Sequence, residues 1–173
     1  MPAIITERLR LVPMTLEVVE AVMGRDRAAA ERAAGAALPD AWPNDELVAR
    51  AFPLSLDAIR AAPDVRLWGD TLVLAKDEPR IIGSVVFHGR PSNGIAEVAY
   101  GVEEHSRGMG LATEATRACV EWALSHPDIV AVQATTFPWH FASLGVIRKI
   151  GMMPCGKREH DVLGELLVFE RRR

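Results

Sequence analysis

Residues 107–112 read Arg-Gly-Met-Gly-Leu-Ala, and an alanine-rich segment, TEATRACVEWAL, runs on from them. Gly108 and Gly110 lack a Cβ, so the backbone can bend tightly there and admit an atom close to it. Behind them, Leu111, Ala115, Ala118, Cys119, Trp122 and Ala123 recur on one face at helical spacing. A helix that opens at this point presents unpaired N–H groups and the positive end of its dipole. Glycine loop and helix together make an anion cradle suited to phosphate, and Arg107 adds a fork of donors for phosphate oxygens. Two common phosphate motifs do not fit. A nucleotide triphosphatase loop needs Lys-Ser/Thr after its last glycine, where this chain has Leu111, Ala112 and Thr113. A dinucleotide fingerprint needs Gly or Ala at the position of Thr113, behind a hydrophobic parallel strand, and the preceding strand carries Glu97 and ends in polar residues. For the loop alone, a glycine turn without a ligand is the alternative.

Other reactive side chains are sparse. Cys119 lies mid-helix on the packed face and Cys155 near the last hairpin. Neither belongs to a CxxC pair or to a Cys/His cluster with metal-ligand spacing, so both are expected to be plain thiols and no metal is expected. His88, His105, His126 and His160 are scattered, as befits surface or loop histidines. Trp122 belongs to the helix core. Trp42, Trp68 and Trp139 stand near loops, where packing is the simpler role and lining a pocket the alternative.

The elements that must position the loop follow from periodicity. Leu9, Leu11 and Pro13 alternate with polar residues as in a strand, and Thr15 offers a cap for the helix LEVVEAVMGRD. Residues 24–63 hold two or three short helices broken by Pro39, Pro43, Pro53 and Pro63. LWGDTLVLAK and IIGSVVFHG flank a DEPR turn, and IAEVAYGV follows a PSNG turn, giving three antiparallel strands before the glycine loop. Pro127 ends the helix after the loop. IVAVQATT is the next strand. FPWHFASLGVIRKIGM is a loop and a helix, with Lys149 in its last turn and Gly151 as left-handed cap. MPCGKREHDV, a Leu-Gly turn and ELLVFERR form a closing hairpin. The economical organisation is one α/β domain over residues 1–173.

Composition agrees. The chain is 49% hydrophobic and 25% charged, ordinary values for a globular domain, and its net charge of −3 weighs against nucleic acid as a partner. No apolar run approaches the roughly 18 residues of a membrane span, and the start carries charge by residue 7, unlike a signal peptide. A cytoplasmic location is expected. The terminal RRR, 171–173, is expected to be a solvated end.

Arg-x-x-Gly-x-Ala, realised at 107–112, resembles the pyrophosphate loop of the GNAT acetyltransferases, which bind acetyl-CoA. AEVAYGV resembles that family's fourth strand, TEATRACVEWAL the helix after the loop, and HFASLGVIRKIGM its later Asn-x-x-Ser…Lys-x-Gly-Phe segment. TERLRLVPMTLEVVEAV resembles the start of the bacterial branch that includes ribosomal-protein N-terminal acetyltransferases. The resemblance covers nearly the whole chain and is weakest over residues 25–65. It implies a mixed α/β fold: a largely antiparallel sheet of six to seven strands, splayed between strands four and five, flanked by about four helices.

The same resemblance implies a function and a site. The function is transfer of an acetyl group from acetyl-CoA to a primary amine on a peptide N-terminus or a small molecule, by direct attack. A non-catalytic acyl-CoA-binding protein of the same fold is the alternative. Arg107, Gly108, Met109, Gly110, Leu111, Ala112 and Thr113 would hold the cofactor's pyrophosphate. Tyr100, Gly101 and Val102 would meet its acetyl carbonyl and pantetheine arm, and His140, which replaces the usual Asn, would contact the arm too. Ser143 would donate to the leaving thiolate, its alternative being a helix cap. Glu97 resembles the strand-four glutamate that serves some members as base, its alternative being an outward side chain on an amphipathic strand. Met152 replaces the usual Phe, an apolar exchange. The acceptor pocket would come from residues 25–65 and 153–165, and a homodimer is possible.

Overall fold

In the computed structural model, residues 3–63, 66–162 and 164–173 are described; the expected turn residue Leu163 lies outside them. The strands are β1 (Ile4–Ile5), β2 (Leu9–Pro13), β3 (Asp70–Ala75), β4 (Ile81–Phe87), β5 (Ile95–Val102), β6 (Ala131–Thr136), β7 (Met153–His160) and β8 (Gly164–Arg172). The helices are α1 (Leu16–Met23), α2 (Arg27–Ala34), α3 (Asp45–Arg50), α4 (Phe52–Ala61), α5 (Leu111–Leu124) and α6 (Phe141–Lys149). Among the described residues the count therefore exceeds the expected six to seven strands and four helices. The two-residue β1 is too short to leave an alternation in the sequence, and residues 27–61 supply three short helices.

Local chemistry accounts for the helix starts. Thr15 Oγ1 accepts the Val18 N–H at 3.3 Å, Asp26 Oδ1 that of Ala29 at 2.9 Å, and Asn44 Oδ1 that of Leu47 at 2.8 Å. Pro53, expected to break a helix, sits in the first turn of α4, where its missing N–H costs nothing. No described helix is long and apolar enough to cross a membrane.

The eight strands form one open sheet in the order β1-β2-β3-β4-β5-β6-β8-β7. Among the described residues its one parallel strand pair, β5 with β6, matters most: Ile95, Ala96 and Glu97 alone face Ala131, Val132 and Gln133. Beyond that point β5 stays paired to β4 as far as Val102 opposite Gly83, and β6 stays paired to β8 as far as Thr136 opposite Leu167. The sheet therefore opens like a V along residues 98–102. Gly83 is required here, because a Cβ on it would lie 2.1 Å from the Gly101 carbonyl oxygen.

Two cores hold the sheet. On one face α5 and α6 bury Leu111, Ala115, Cys119, Val120, Leu144 and Ile147 against Leu9, Leu11, Val85, Val98 and Val132. On the other face α1, α2 and α4 bury Val18, Val19, Ala30 and Phe52 against Leu72 and Leu74. Each such aliphatic side chain contributes about 1.5–3 kcal/mol by leaving water. Trp68 and His126 belong to an aromatic cluster with Phe87 and Trp122, so His126 is a half-buried histidine of the loop after α5, packed by its ring.

The terminal arginines are in part a solvated end, since Arg172 and Arg173 are exposed, yet they are tied down. Arg171 and Arg172 belong to β8, and Arg171 Nη1 donates to the Ile150 carbonyl at 3.1 Å. Arg173 donates to the carbonyls of Leu124 (3.1 Å), Pro127 (3.2 Å) and His126, and so closes the C-terminus of α5. A guanidinium suits that place because the last carbonyls of a helix lack partners and carry its negative dipole end. Arg173→Ala should lower stability by about 1 kcal/mol and the melting temperature by about 2–4 °C in differential scanning calorimetry. An unchanged melting temperature would restore the solvated-end reading.

Candidate functional site

The glycine loop enters α5 in a conformation that only glycine adopts freely. Gly108 and Gly110 have φ of 74° and 78°, a region that costs other residues roughly 1–2 kcal/mol. Gly110 precedes α5 without a side-chain cap, and the first intrahelical bond runs from the Glu114 N–H to the Gly110 carbonyl at 3.0 Å. The N–H groups of Leu111, Ala112 and Thr113 are therefore left for an anion. Arg107 follows a short 3-10 turn, and its guanidinium has no carboxylate partner among the described residues.

A carboxylate in the first turn of α5 fixes this loop to the other end of the chain. Glu114 accepts from the Thr6 hydroxyl at 2.6 Å, the Arg8 N–H at 2.8 Å and Arg8 Nε at 2.7 Å. Arg8 Nη1 in turn donates to the Met109 carbonyl at 2.9 Å. Burial would raise the Glu114 carboxyl, but the Thr6 and Arg8 donors outweigh it and hold it below the ordinary glutamate range.

The loop, β5 and α6 enclose a groove of about 490 Å³ at the opening of the V. Tyr100, Gly101 and Val102 line one wall. Arg107, Gly108, Gly110, Leu111, Ala112 and Thr113 line the α5 end, and His140 and Ser143 the α6 end. Met109 does not line it; its side chain is 58% exposed and its carbonyl is held by Arg8. The Glu103 N–H donates to the Ile82 carbonyl at 2.8 Å, so strand alternation turns the N–H groups of Tyr100 and Val102 toward the open edge of β5 and that of Gly101 toward β4. A second helix N-terminus faces the groove as well: α6 starts at Phe141, with His140 as an N-cap that makes no side-chain bond.

Ser143 is thus inside the first turn of α6, and no capping bond of its hydroxyl is seen. Its Oγ lies 3.0 Å from the Tyr100 hydroxyl, which also lies 3.1 Å from the Ser143 carbonyl. Burial raises the Tyr100 hydroxyl above the ordinary tyrosine value, against the pull of the Ser143 bond, so it keeps its proton at neutral pH. When Tyr100 donates to Ser143 Oγ, the serine proton is free to point into the groove.

Glu97 does not line the groove. It stands at the last β5–β6 pair, on the sheet face opposite Ala96, Val98 and Tyr100. Arg158 of β7 reaches it at 3.3 Å and also donates to Gln133 at 3.1 Å. On that face a second cavity, of about 550 Å³, is lined by Asp40, Trp42, Arg80, Ser84 and Glu104 and shares Gly101, Val102 and Arg107 with the groove. Trp42 therefore lines a cavity, Trp68 is core, and Trp139 is 65% exposed and stacked on Phe137. Burial pushes the Cys119 thiol up to about 12, as expected for an inert packed cysteine. Among the described residues no group of three or more His, Cys, Asp or Glu side chains could hold a metal ion.

The depressed Glu114 carboxyl makes a pH prediction. A carboxylate whose folded pKa lies below its unfolded value stabilises the fold above the unfolded value and loses that contribution as pH falls through the folded one. Glu114→Gln should melt below the wild type at pH 7, and the difference should shrink as pH falls below about 4.3. Melting curves of the two proteins from pH 7 to pH 3 check this. A difference that stays constant with pH would contradict it.

With this geometry in hand, comparison with known proteins is specific. Residues 8–153 match the acetyltransferase (GNAT) domain family. The chain is 24% identical over 149 residues to the uncharacterised N-acetyltransferase YjdG of Bacillus subtilis strain 168, a match covering 86% of this chain and 88% of that one. Its fold is similar to that of a ribosomal-protein-S5-alanine acetyltransferase from Vibrio fischeri, with a TM-score of 0.73 at 14% identity over 99% of this chain and 97% of that one. It is likewise similar to RimL, a ribosomal L7/L12 α-N-protein acetyltransferase solved with coenzyme A, with a TM-score of 0.70 at 15% identity over 99% and 98% of the two chains. The family match spans most of the sequence and includes the strand, the loop and the helices that build the groove: the chain belongs to the GNAT acetyltransferase family.

Proposed function

We propose that this acetyltransferase takes its acetyl group from acetyl-CoA and passes it to a primary amine, at a protein N-terminus or on a small molecule. One observation carries the reading: two uncapped helix N-termini and the open edge of β5 converge on one groove whose loop is shaped by Gly108 and Gly110. Residues 108–113 with Arg107 would hold the pyrophosphate. The Tyr100 and Val102 N–H groups would bind the pantetheine arm and the oxygen that gains charge during attack.

Bound acetyl-CoA supplies an activated thioester carbonyl. The chain's own residues manage charge and protons around it. Ser143 Oγ, backed by the Tyr100 hydroxyl, would protonate or stabilise the leaving thiolate. The amine would come from the second cavity, which meets the groove at Gly101 and Val102. Amines arrive protonated at neutral pH, since lysine-like groups titrate near about 10.4 and α-amines near about 8. Glu97 would accept that proton through water from its place on the acceptor face. Its pairing with Arg158, outside the groove, is the observation that favours the second reading, an acyl-CoA-binding protein without turnover.

The test is amine-dependent release of CoA thiol from acetyl-CoA. Suitable acceptors are peptides beginning with Ala, Ser or Met, and spermidine. Transfer should occur, and Ser143→Ala should lower kcat about 10²-fold with acetyl-CoA affinity kept. If Ser143→Ala and Glu97→Gln both leave kcat unchanged, these proton assignments are wrong. Acetyl-CoA binding without any transfer would favour the non-catalytic reading.

A further inference from the structure

The turn that leads from β5 into Arg107 is held by a half-buried ion pair. Three residues, Glu104–Ser106, form this 3-10 turn. Such a turn holds itself weakly, because its hydrogen-bond geometry is poor. Here the Ser106 N–H donates to the Glu103 carbonyl and the Arg107 N–H to that of Glu104, each at 3.1 Å. The Glu103 side chain adds what the backbone lacks. Its Oε1 accepts from Ser106 Oγ at 2.8 Å and from Arg80 Nη1. Ser106 is 3% exposed and the Glu103 side chain 13%, so both bonds are largely shielded from water.

Arg80 in turn stands on a braced part of the sheet. The turn between β3 and β4 is bridged to the connection between α2 and α3: the Ala37 N–H donates to the Pro79 carbonyl at 2.7 Å, and the Ile81 N–H to the Ala37 carbonyl at 2.8 Å. The Glu103 N–H donates to the Ile82 carbonyl at 2.8 Å. Glu103 is therefore fixed, at its backbone and at its carboxylate, to the start of β4. Arg107 itself is exposed.

We infer that Glu103 is a positioning residue for cofactor binding: held by Arg80, its carboxylate locks the turn ahead of Arg107 and so sets that guanidinium on the pyrophosphate. The inference rests on the acetyl-CoA reading above. The reason is largely entropic. A long exposed side chain loses rotamer freedom when it binds, and a loose backbone beneath it would add to that loss. Arg80 also neutralises a carboxylate that would otherwise repel the incoming anion.

Titration of the whole chain with acetyl-CoA and with S-acetylpantetheine, followed by backbone amide chemical shifts, tests this. S-acetylpantetheine lacks the pyrophosphate, so a residue that acts through Arg107 leaves its binding alone. Glu103→Ala should weaken acetyl-CoA about tenfold and change S-acetylpantetheine by less than about twofold. Glu103→Gln should stay within about threefold of the wild type for both, because its Oε1 still accepts from Ser106 and Arg80. In an Arg107→Gln background, Glu103→Ala should weaken acetyl-CoA by less than about threefold, since the group it positions is gone. Equal weakening of both ligands by Glu103→Ala overturns the inference, because a general role in the fold would produce it. So does no weakening of either, or an undiminished loss in the Arg107→Gln background. Each of these leaves the acetyl-CoA reading intact, whereas failure of the wild type to bind acetyl-CoA overturns that reading itself. Melting curves check that the variants fold. Should Glu103→Ala not fold, Ser106→Ala deletes the same bond from its other side and should weaken acetyl-CoA alone, by about threefold.

Discussion

The molecule is organised around the parting of two neighbouring strands. β5 and β6 pair for three residues and then separate, because each is held by its other neighbour: β5 by β4 up to Val102, and β6 by β8 up to Thr136. A strand edge left open within a protein carries N–H and C=O groups that need partners. Here that edge lines the groove. The same opening admits the N-termini of α5 and α6, two further sets of unpaired donors. Everything proposed about the site depends on this gap, and the gap depends on Gly83, whose missing Cβ lets β4 follow β5 to its end.

The glycine loop needs a rigid frame, and Glu114 provides one from a distance. The loop backbone is conformationally free at Gly108 and Gly110, a property that by itself would leave an anion site poorly ordered. One carboxylate holds Thr6 and Arg8, and Arg8 holds the Met109 carbonyl. The segment leading into β2 thus braces the loop from outside, and the loop N–H groups stay available on the inside. On the far face α1, α2 and α4 cover only the N-terminal half of the sheet. The polar set of Glu97, Gln133, Arg158 and Glu170 stands on the rest.

Local patterns in the sequence revealed most of the frame. Alternation marked β2, segments set off by turns marked β3 to β5, helical spacing marked the packed face of α5, and the glycine spacing with Arg107 marked the loop. Long-range partners left no such trace. Arg8 and Glu114 are 106 residues apart, and no period connects them. Arg173 looks like one more solvated charge until the end of α5 is seen beside it. Ser143 could be matched to a motif, but its bond to Tyr100 depends on how α6 packs against β5. Glu97 was visible as a carboxylate in an apolar strand. That it faces Arg158, away from the groove, depends on the hairpin of β7 and β8. The short β1 and the three helices of residues 27–61 were blurred for a different reason: elements of two to ten residues carry too little periodicity to separate from turns.

The central claim is that the opening of the V holds acetyl-CoA with its pyrophosphate on the start of α5. Backbone amide chemical shifts of the labelled protein, followed during titration with acetyl-CoA, test it most directly. The account predicts that the largest changes fall on residues 108–113 and on Tyr100 and Val102. It also predicts that S-acetylpantetheine, which lacks the pyrophosphate, moves the β5 signals and leaves those of the loop in place. Changes centred elsewhere, or a loop that stays still while acetyl-CoA binds, would contradict it.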